Sequence, residues 1–230
     1  MNERNPMNEI ARPFDARQAP VTSGQNRMVV GFSGASGIAY GIEALRLLRA
    51  LGIETHVVMS RAAQVTLAHE TDLHVADVRA LAHTWYSNDD IGAPIASGSF
   101  KVRGMIVAPC SVKSLSEIAT GVTDNLLSRA ADVMLKERRR LVLMVRETPL
   151  HAGHLKNMLA VTEAGAIICP PVPAFYTRPT VLQDIVEHSV GRVLDLFDLD
   201  AGVVRRWGEP DPVDTSALND GTPSLKRVGR

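Results

Sequence analysis

Five short apolar runs recur along the chain without the polar alternation of a half-exposed strand: Met28–Phe32, Thr55–Met59, Met105–Pro109, Leu141–Val145 and Ala166–Cys169. Rich in Val, Ile and Met, they read as strands buried on both faces. Helical patterns separate them, over about Ile38–Leu51, Arg61–Glu70, Ser111–Ile118, Asp124–Arg138, Leu150–Ala164 and Thr180–Leu199. Strand–helix alternation of this kind predicts an α/β fold: one doubly wound, three-layer parallel sheet with helices on both faces, Rossmann-like or flavodoxin-like. Ligands of such sheets sit beyond the carboxyl ends of the strands, so the loops after each strand are where function is to be sought.

Composition narrows the class. With 230 residues, 45% of them apolar, the chain suits one sizeable core. Residues 1–26 are polar and carry Pro6, Pro13 and Pro20, and residues 208–230 are similar; both are expected to be flexible, leaving 27–207 as the folded domain. Lys+Arg and Asp+Glu balance at 25 each, which gives no broad field for nucleic acid or anionic lipid. Any phosphate site must therefore arise from local geometry. No apolar run approaches a membrane span or a secretory signal, and the two cysteines, Cys110 and Cys169, lie in apolar runs. A cytoplasmic, reducing location is the expectation.

Each strand tip carries a distinct set of groups. After the first comes Gly31-Phe32-Ser33-Gly34-Ala35-Ser36-Gly37 and then a helix. This fits a tight turn, and it equally fits a cradle in which small residues and helix N–H groups meet a phosphate or flavin edge. The spacing GxxGxxG is not that of the dinucleotide fingerprint. After the second, Ser60 is placed as a helix cap or as a hydroxyl for a bound phosphate. After the third, Ser111, Val112, Lys113 and Ser114 bring hydroxyls, a cation and helix N–H groups to one point, while Cys110 reads as a buried small residue. After the fourth, Arg146 and Glu147 precede the helix start Thr148-Pro149, and this cation–carboxylate pair suits an anion beside a proton-transfer step. After the fifth, four prolines stiffen a loop holding Phe175 and Tyr176 in a chain only 4% aromatic, and Arg192 follows on the last helix. His151 and His154, three apart on one helix, fit a polar face better than a metal site, for want of a third ligand.

With these loops in view the chain resembles the flavin prenyltransferases, the UbiX/Pad1 family, from about Arg27 to Trp207. The matching stretches include Gly31–Gly37, Ser97-Gly98-Ser99-Phe100, Pro109-Cys110-Ser111, Arg129-Ala130-Ala131-Asp132-Val133, Leu135-Lys136-Glu137-Arg138, Arg146–Leu150 and Pro170–Tyr176. Ser114, Arg140 and the leader depart from the family pattern.

The resemblance implies transfer of the dimethylallyl group of dimethylallyl monophosphate to reduced FMN at N5 and C6. The product, prenylated FMN, would serve UbiD-type decarboxylases, with no metal required. It implies that Ala35, Ser36, Gly37, Ser60, the Ser111–Ser114 turn (Ser111, Val112, Lys113, Ser114) and Arg146 hold FMN. It implies that Lys136, Arg146, Tyr176 and Arg192 hold the prenyl phosphate. Ser36 and Glu147 would handle protons, and Glu70 matches a further family acid. A large homo-oligomer, often a dodecamer with sites between subunits, is expected on the same ground. Two other readings stay open: a non-catalytic FMN carrier or accessory subunit of a decarboxylase, and an FMN-dependent cysteine decarboxylase of the same fold. The latter's catalytic histidine and Pro-x-Met-Asn segment are missing here.

Overall fold

The computed structural model describes residues 23–208. Six parallel strands form one sheet in the order β3-β2-β1-β4-β5-β6. In chain order the elements are β1 (Arg27–Phe32), α1 (Ile38–Ala50), β2 (Glu54–Met59), α2 (Arg61–Glu70), α3 (Val75–Leu81), β3 (Thr84–Tyr86), β4 (Gly104–Cys110), α4 (Val112–Thr120), α5 (Leu126–Lys136), β5 (Arg140–Val145), α6 (Ala152–Glu163), β6 (Ile167–Ile168) and α7 (Leu182–Asp195).

The unbroken apolar runs are explained by two cores, one on each face. Met28, Val30 and Phe32 of β1 join Ile106 and Ala108 of β4 under α1, α2, α3 and α7. Val29, Met105, Val107, Leu141 and Leu143 point the other way, under α4, α5 and α6. Successive strand residues face opposite layers, so a strand covered on both sides admits a polar residue only where it is hydrogen-bonded, as Thr55 and His56 of β2 are to His83 and Tyr86. All seven residues of β4 are buried accordingly.

All five expected strands are present. The sequence reading missed β3 and the seven-residue α3. Thr84, Trp85 and Tyr86 are only half-buried, because β3 is an edge strand, and three residues are too short to show a period. A 3₁₀ turn at Ser23–Asn26 with Gly24 buried precedes β1, inside the stretch expected to be leader. Residues 1–22 and 209–230, which hold the rest of the two expected tails, lie outside the described residues.

The chain winds outward from β1 to β3, then returns and winds the other way from β4 to β6. The switch falls between β1 and β4, where a crevice opens beyond the strand ends. Helix α1 is drawn tightly onto this point. A Cβ on Gly41 would lie 2.2 Å from the Ala108 carbonyl oxygen and 2.3 Å from the Phe32 ring. Gly41→Ala should therefore destabilise the fold by about 1–3 kcal/mol, although alanine is the better helix former by about 1 kcal/mol. A urea midpoint that stays level or rises in this variant would contradict that packing.

Candidate active site

A cleft of about 540 Å³ opens at the switch point. The tips of β1, β2, β4 and β5 all line it, as does Asn88 just beyond β3.

Loop β1–α1 contributes Gly34, Ala35 and Ser36. Gly34 is needed because a Cβ there would come within 2.3 Å of Ala62 on α2. Gly37 adopts the left-handed conformation (φ 99°) that caps α1. Its N–H donates to both Glu70 carboxylate oxygens, at 3.1 and 2.9 Å, and the Ile38 N–H donates to one of them at 2.9 Å. The helix end read from sequence as an anion cradle thus already holds an anion, the protein's own carboxylate. A positive helix end attracts the nearest carboxylate, and the end of α2 delivers Glu70 to it. Burial raises the Glu70 carboxyl. Hydrogen bonds from Ser36, Ile38 and Gly37, with the nearby Arg146 charge, outweigh burial and hold it below its ordinary value. Stability from such a group is complete above the unfolded pKa of about 4.3 and fades as pH falls through the lower folded value. Glu70→Gln should therefore lower the urea midpoint most at about pH 7, with the gap to the parent closing below about pH 4. A gap of constant size across pH would contradict this role.

Loops β2–α2 and β4–α4 offer what α1 does not. Ser60 caps α2 by accepting the Ala63 N–H at 3.1 Å, and Ser111 caps α4 by accepting the Ser114 N–H at 3.2 Å. The N–H groups of Arg61, Ala62, Val112 and Lys113, in the first turns, have no carbonyl four residues back within their helices, and all four residues line the cleft. Two helix N-termini therefore face one space, with Ser60, Ser111 and Arg61 among the residues that line it. The Lys113 ammonium is paired instead with Glu117, one turn along α4, and its side chain is 78% exposed. Its contribution to the cleft is thus its backbone more than its charge.

Loop β5–α6 contributes Arg146 and Glu147. Arg146 spans the switch point, its Nε donating to the Ser36 carbonyl at 3.2 Å. Glu147 is half-buried and accepts the Thr148 N–H at 2.9 Å. Cys110, beneath them, is fully buried, and burial pushes its thiol up to about 12, so it is a packing residue. His151 caps α6 by accepting the Gly153 N–H at 3.0 Å, which engages one ring of the His151–His154 pair.

Five of the residues singled out from sequence do not line this cleft: Gly37 and Glu70, which are bonded to one another at its edge, and Lys136, Tyr176 and Arg192. Lys136 ends α5, about 15 Å along the helix from the end that carries Leu127 into the cleft, and pairs with Glu137 at 2.5 Å. The Tyr176 hydroxyl donates to the Arg205 carbonyl at 3.1 Å, and its ring packs edge-to-face on His188 and Trp207. Arg192 pairs with Asp195 at 2.5 Å. The tip of β6 thus does not join the others. In its place stand residues the sequence reading missed: Asn88, Arg61, Ala62, Glu117, Asn125 and Leu127. Asn88 caps α5 by accepting the Leu126 and Leu127 N–H groups at 2.7 and 3.1 Å. Only recognition of β3 would have revealed it.

A family model described as Flavoprotein matches residues 16–197. Flavin prenyltransferase UbiX of Thauera aromatica is 56% identical over 181 residues, covering 79% of this chain and 93% of that protein. Among solved structures, a UbiX protein in complex with FMN and dimethylallyl pyrophosphate superposes with a TM-score of 0.80 at 55% identity, over 81% of this chain and 100% of that one. A dodecameric FMN-dependent UbiX-like decarboxylase from Escherichia coli O157:H7 gives 0.78 at 48% identity, over 80% of this chain and 100% of that one.

Proposed function

The chain belongs to the flavoprotein family and, within it, to the flavin prenyltransferases of the UbiX/Pad1 type, and from that premise we propose that the switch-point cleft binds reduced FMN and prenylates it. The dimethylallyl group of dimethylallyl monophosphate is transferred to flavin N5 and then closed onto C6, giving prenylated FMN. The observation that carries this reading is the pair of open helix N-termini, α2 and α4, facing one space next to Arg146 and Glu147. A dianionic phosphate suits four N–H donors, two hydroxyls and the Arg61 guanidinium. The α1 end, filled by Glu70, does not suit it, so we place the flavin ring system rather than the phosphate against Ala35 and Ser36.

Bound reduced FMN supplies the nucleophile. The protein's task is to make phosphate a good leaving group and to move protons. As the allylic C–O bond breaks, negative charge grows on the phosphate, and fixed cations there lower the barrier. Arg146 supplies one, its guanidinium oriented by the Ser36 carbonyl. Glu147 carries a proton to the departing phosphate. Ser36, hydrogen-bonded to Glu70, handles the proton near N5.

Lys136, Tyr176 and Arg192 do not line their own copy's cleft, so we assign them to the prenyl-phosphate side of a neighbouring copy's cleft. Exposed apolar residues support assembly: Leu155 and Leu159 on α6, Val172, Phe175 and Trp207, from 54% to 80% exposed. A dodecamer, as in the Escherichia coli relative, is the assembly we propose. The product would pass to a UbiD-type decarboxylase, and the two free thiols accord with a cytoplasmic location.

Anaerobic incubation with reduced FMN and dimethylallyl monophosphate, followed by mass spectrometry of the released flavin, tests the reading. Flavin heavier by one dimethylallyl unit, less the displaced proton, is expected. Flavin recovered unmodified, from protein that binds it, would favour the carrier reading.

A further inference from the structure

Ser33 does not line the cleft and is 1% exposed, yet it joins the two loops on which the cleft depends. Backbone register between β1 and β4 runs only as far as Gly31 and Val107. Beyond it the strands part to form the crevice, and Ser33 bridges the gap. Its hydroxyl donates to the Pro109 carbonyl at 2.9 Å and accepts the Ser111 N–H at 2.7 Å, while its own N–H donates to the Pro109 carbonyl at 3.2 Å. The backbone bond from the Ser33 N–H to the Pro109 carbonyl does not depend on the hydroxyl, but Pro109 has no N–H with which to continue the ladder, and the Ser111 N–H is tied to β1 through the hydroxyl. Ser111 is the cap of α4, and its position fixes where the Val112 and Lys113 N–H groups point.

We infer that Ser33 is a positioning residue for flavin binding: it latches the α4 N-terminus to the β1 tip and so sets the α4 donors in register with the flavin phosphate. This rests on the placement of FMN proposed above. Without the hydroxyl, the Ser111 N–H loses its acceptor. A buried donor left unpaired costs enough to shift an affinity about tenfold, and a small displacement of a positioned donor lowers binding further.

The test is FMN affinity, by fluorescence quenching, in the full-length parent, Ser33→Ala, Ser33→Cys and Ser33→Thr, with steady-state kinetics on each. Ser33→Ala should weaken FMN binding about tenfold and raise KM for FMN, with KM for dimethylallyl monophosphate within about twofold of the parent. Ser33→Thr keeps the hydroxyl and should bind FMN as the parent does. If Ser33→Ala does not fold, Ser33→Cys serves in its place. It has similar volume but only a weak sulfur donor and acceptor, and should bind FMN several-fold less tightly. Parent-like FMN affinity in both Ala and Cys variants would overturn the role of Ser33. Equal rises in both KM values would also overturn it, since a general loosening of the fold would act on both substrates. A parent chain that binds no FMN would sink the placement of FMN itself, a result distinct from either.

Discussion

Glu147→Gln is expected to bind FMN as tightly as the parent and to lose at least about 10²-fold in turnover, the usual penalty for removing a positioned general acid. The substitution is nearly isosteric. The amide oxygen can still accept the Thr148 N–H that Glu147 accepts at 2.9 Å, so the start of α6 and the cleft wall should keep their shape. What is lost is a group that can hold and release a proton beside Arg146, on the side of the cleft where phosphate would depart. Fluorescence quenching by FMN gives the affinity, and the anaerobic flavin spectrum gives the rate. Turnover within about threefold of the parent would remove Glu147 from the proton path. Loss of FMN binding would instead make it a wall residue of the cleft.

A larger reversal is expected when two defective chains are mixed. Glu147→Gln damages the cleft of its own copy, and Arg192→Ala damages a residue that lies outside that cleft and pairs with Asp195. Each homo-oligomer should be nearly inactive. If one copy's Arg192 completes another copy's cleft, co-expression should restore activity. Random mixing in a closed symmetric assembly leaves about a quarter of the clefts with both groups intact. Activity near that fraction, recovered only when the chains assemble together, is the expected outcome. No recovery in a verified mixed oligomer would mean that Arg192 serves its own copy or does not touch the reaction. Simple mixing of preformed assemblies is the control and should recover nothing unless subunits exchange.

What could be read from sequence follows from which forces act locally. The four longest strands announce themselves because both faces are buried: β4 has no polar residue except the thiol of Cys110. Strand β3 is silent because an edge strand three residues long is neither fully buried nor alternating, and Asn88 is hidden with it. The glycine loop after β1 reveals that a helix N-terminus is available, but not that Glu70, 33 residues on, already fills it. That contact is tertiary and leaves no local mark. The pairing of Lys113 with Glu117 is a helical i, i+4 neighbour and was legible; the charge of Lys113 was read without it. Motif matches named Lys136, Tyr176 and Arg192 as substrate residues, but spacing along the chain carries no information on distance from the cleft. Their separation from it emerges only from how α5, α7 and the loop after β6 pack.

The most direct measurement is the position of the flavin phosphate in a crystal of this chain grown or soaked with FMN. We expect the phosphate within hydrogen-bonding distance of the first-turn N–H groups of α2 and α4, with Glu70 still seated on Gly37 and Ile38. A phosphate that displaced Glu70 from α1, or FMN lodged away from the β1–β4 switch point, would contradict the placement on which every assigned role depends.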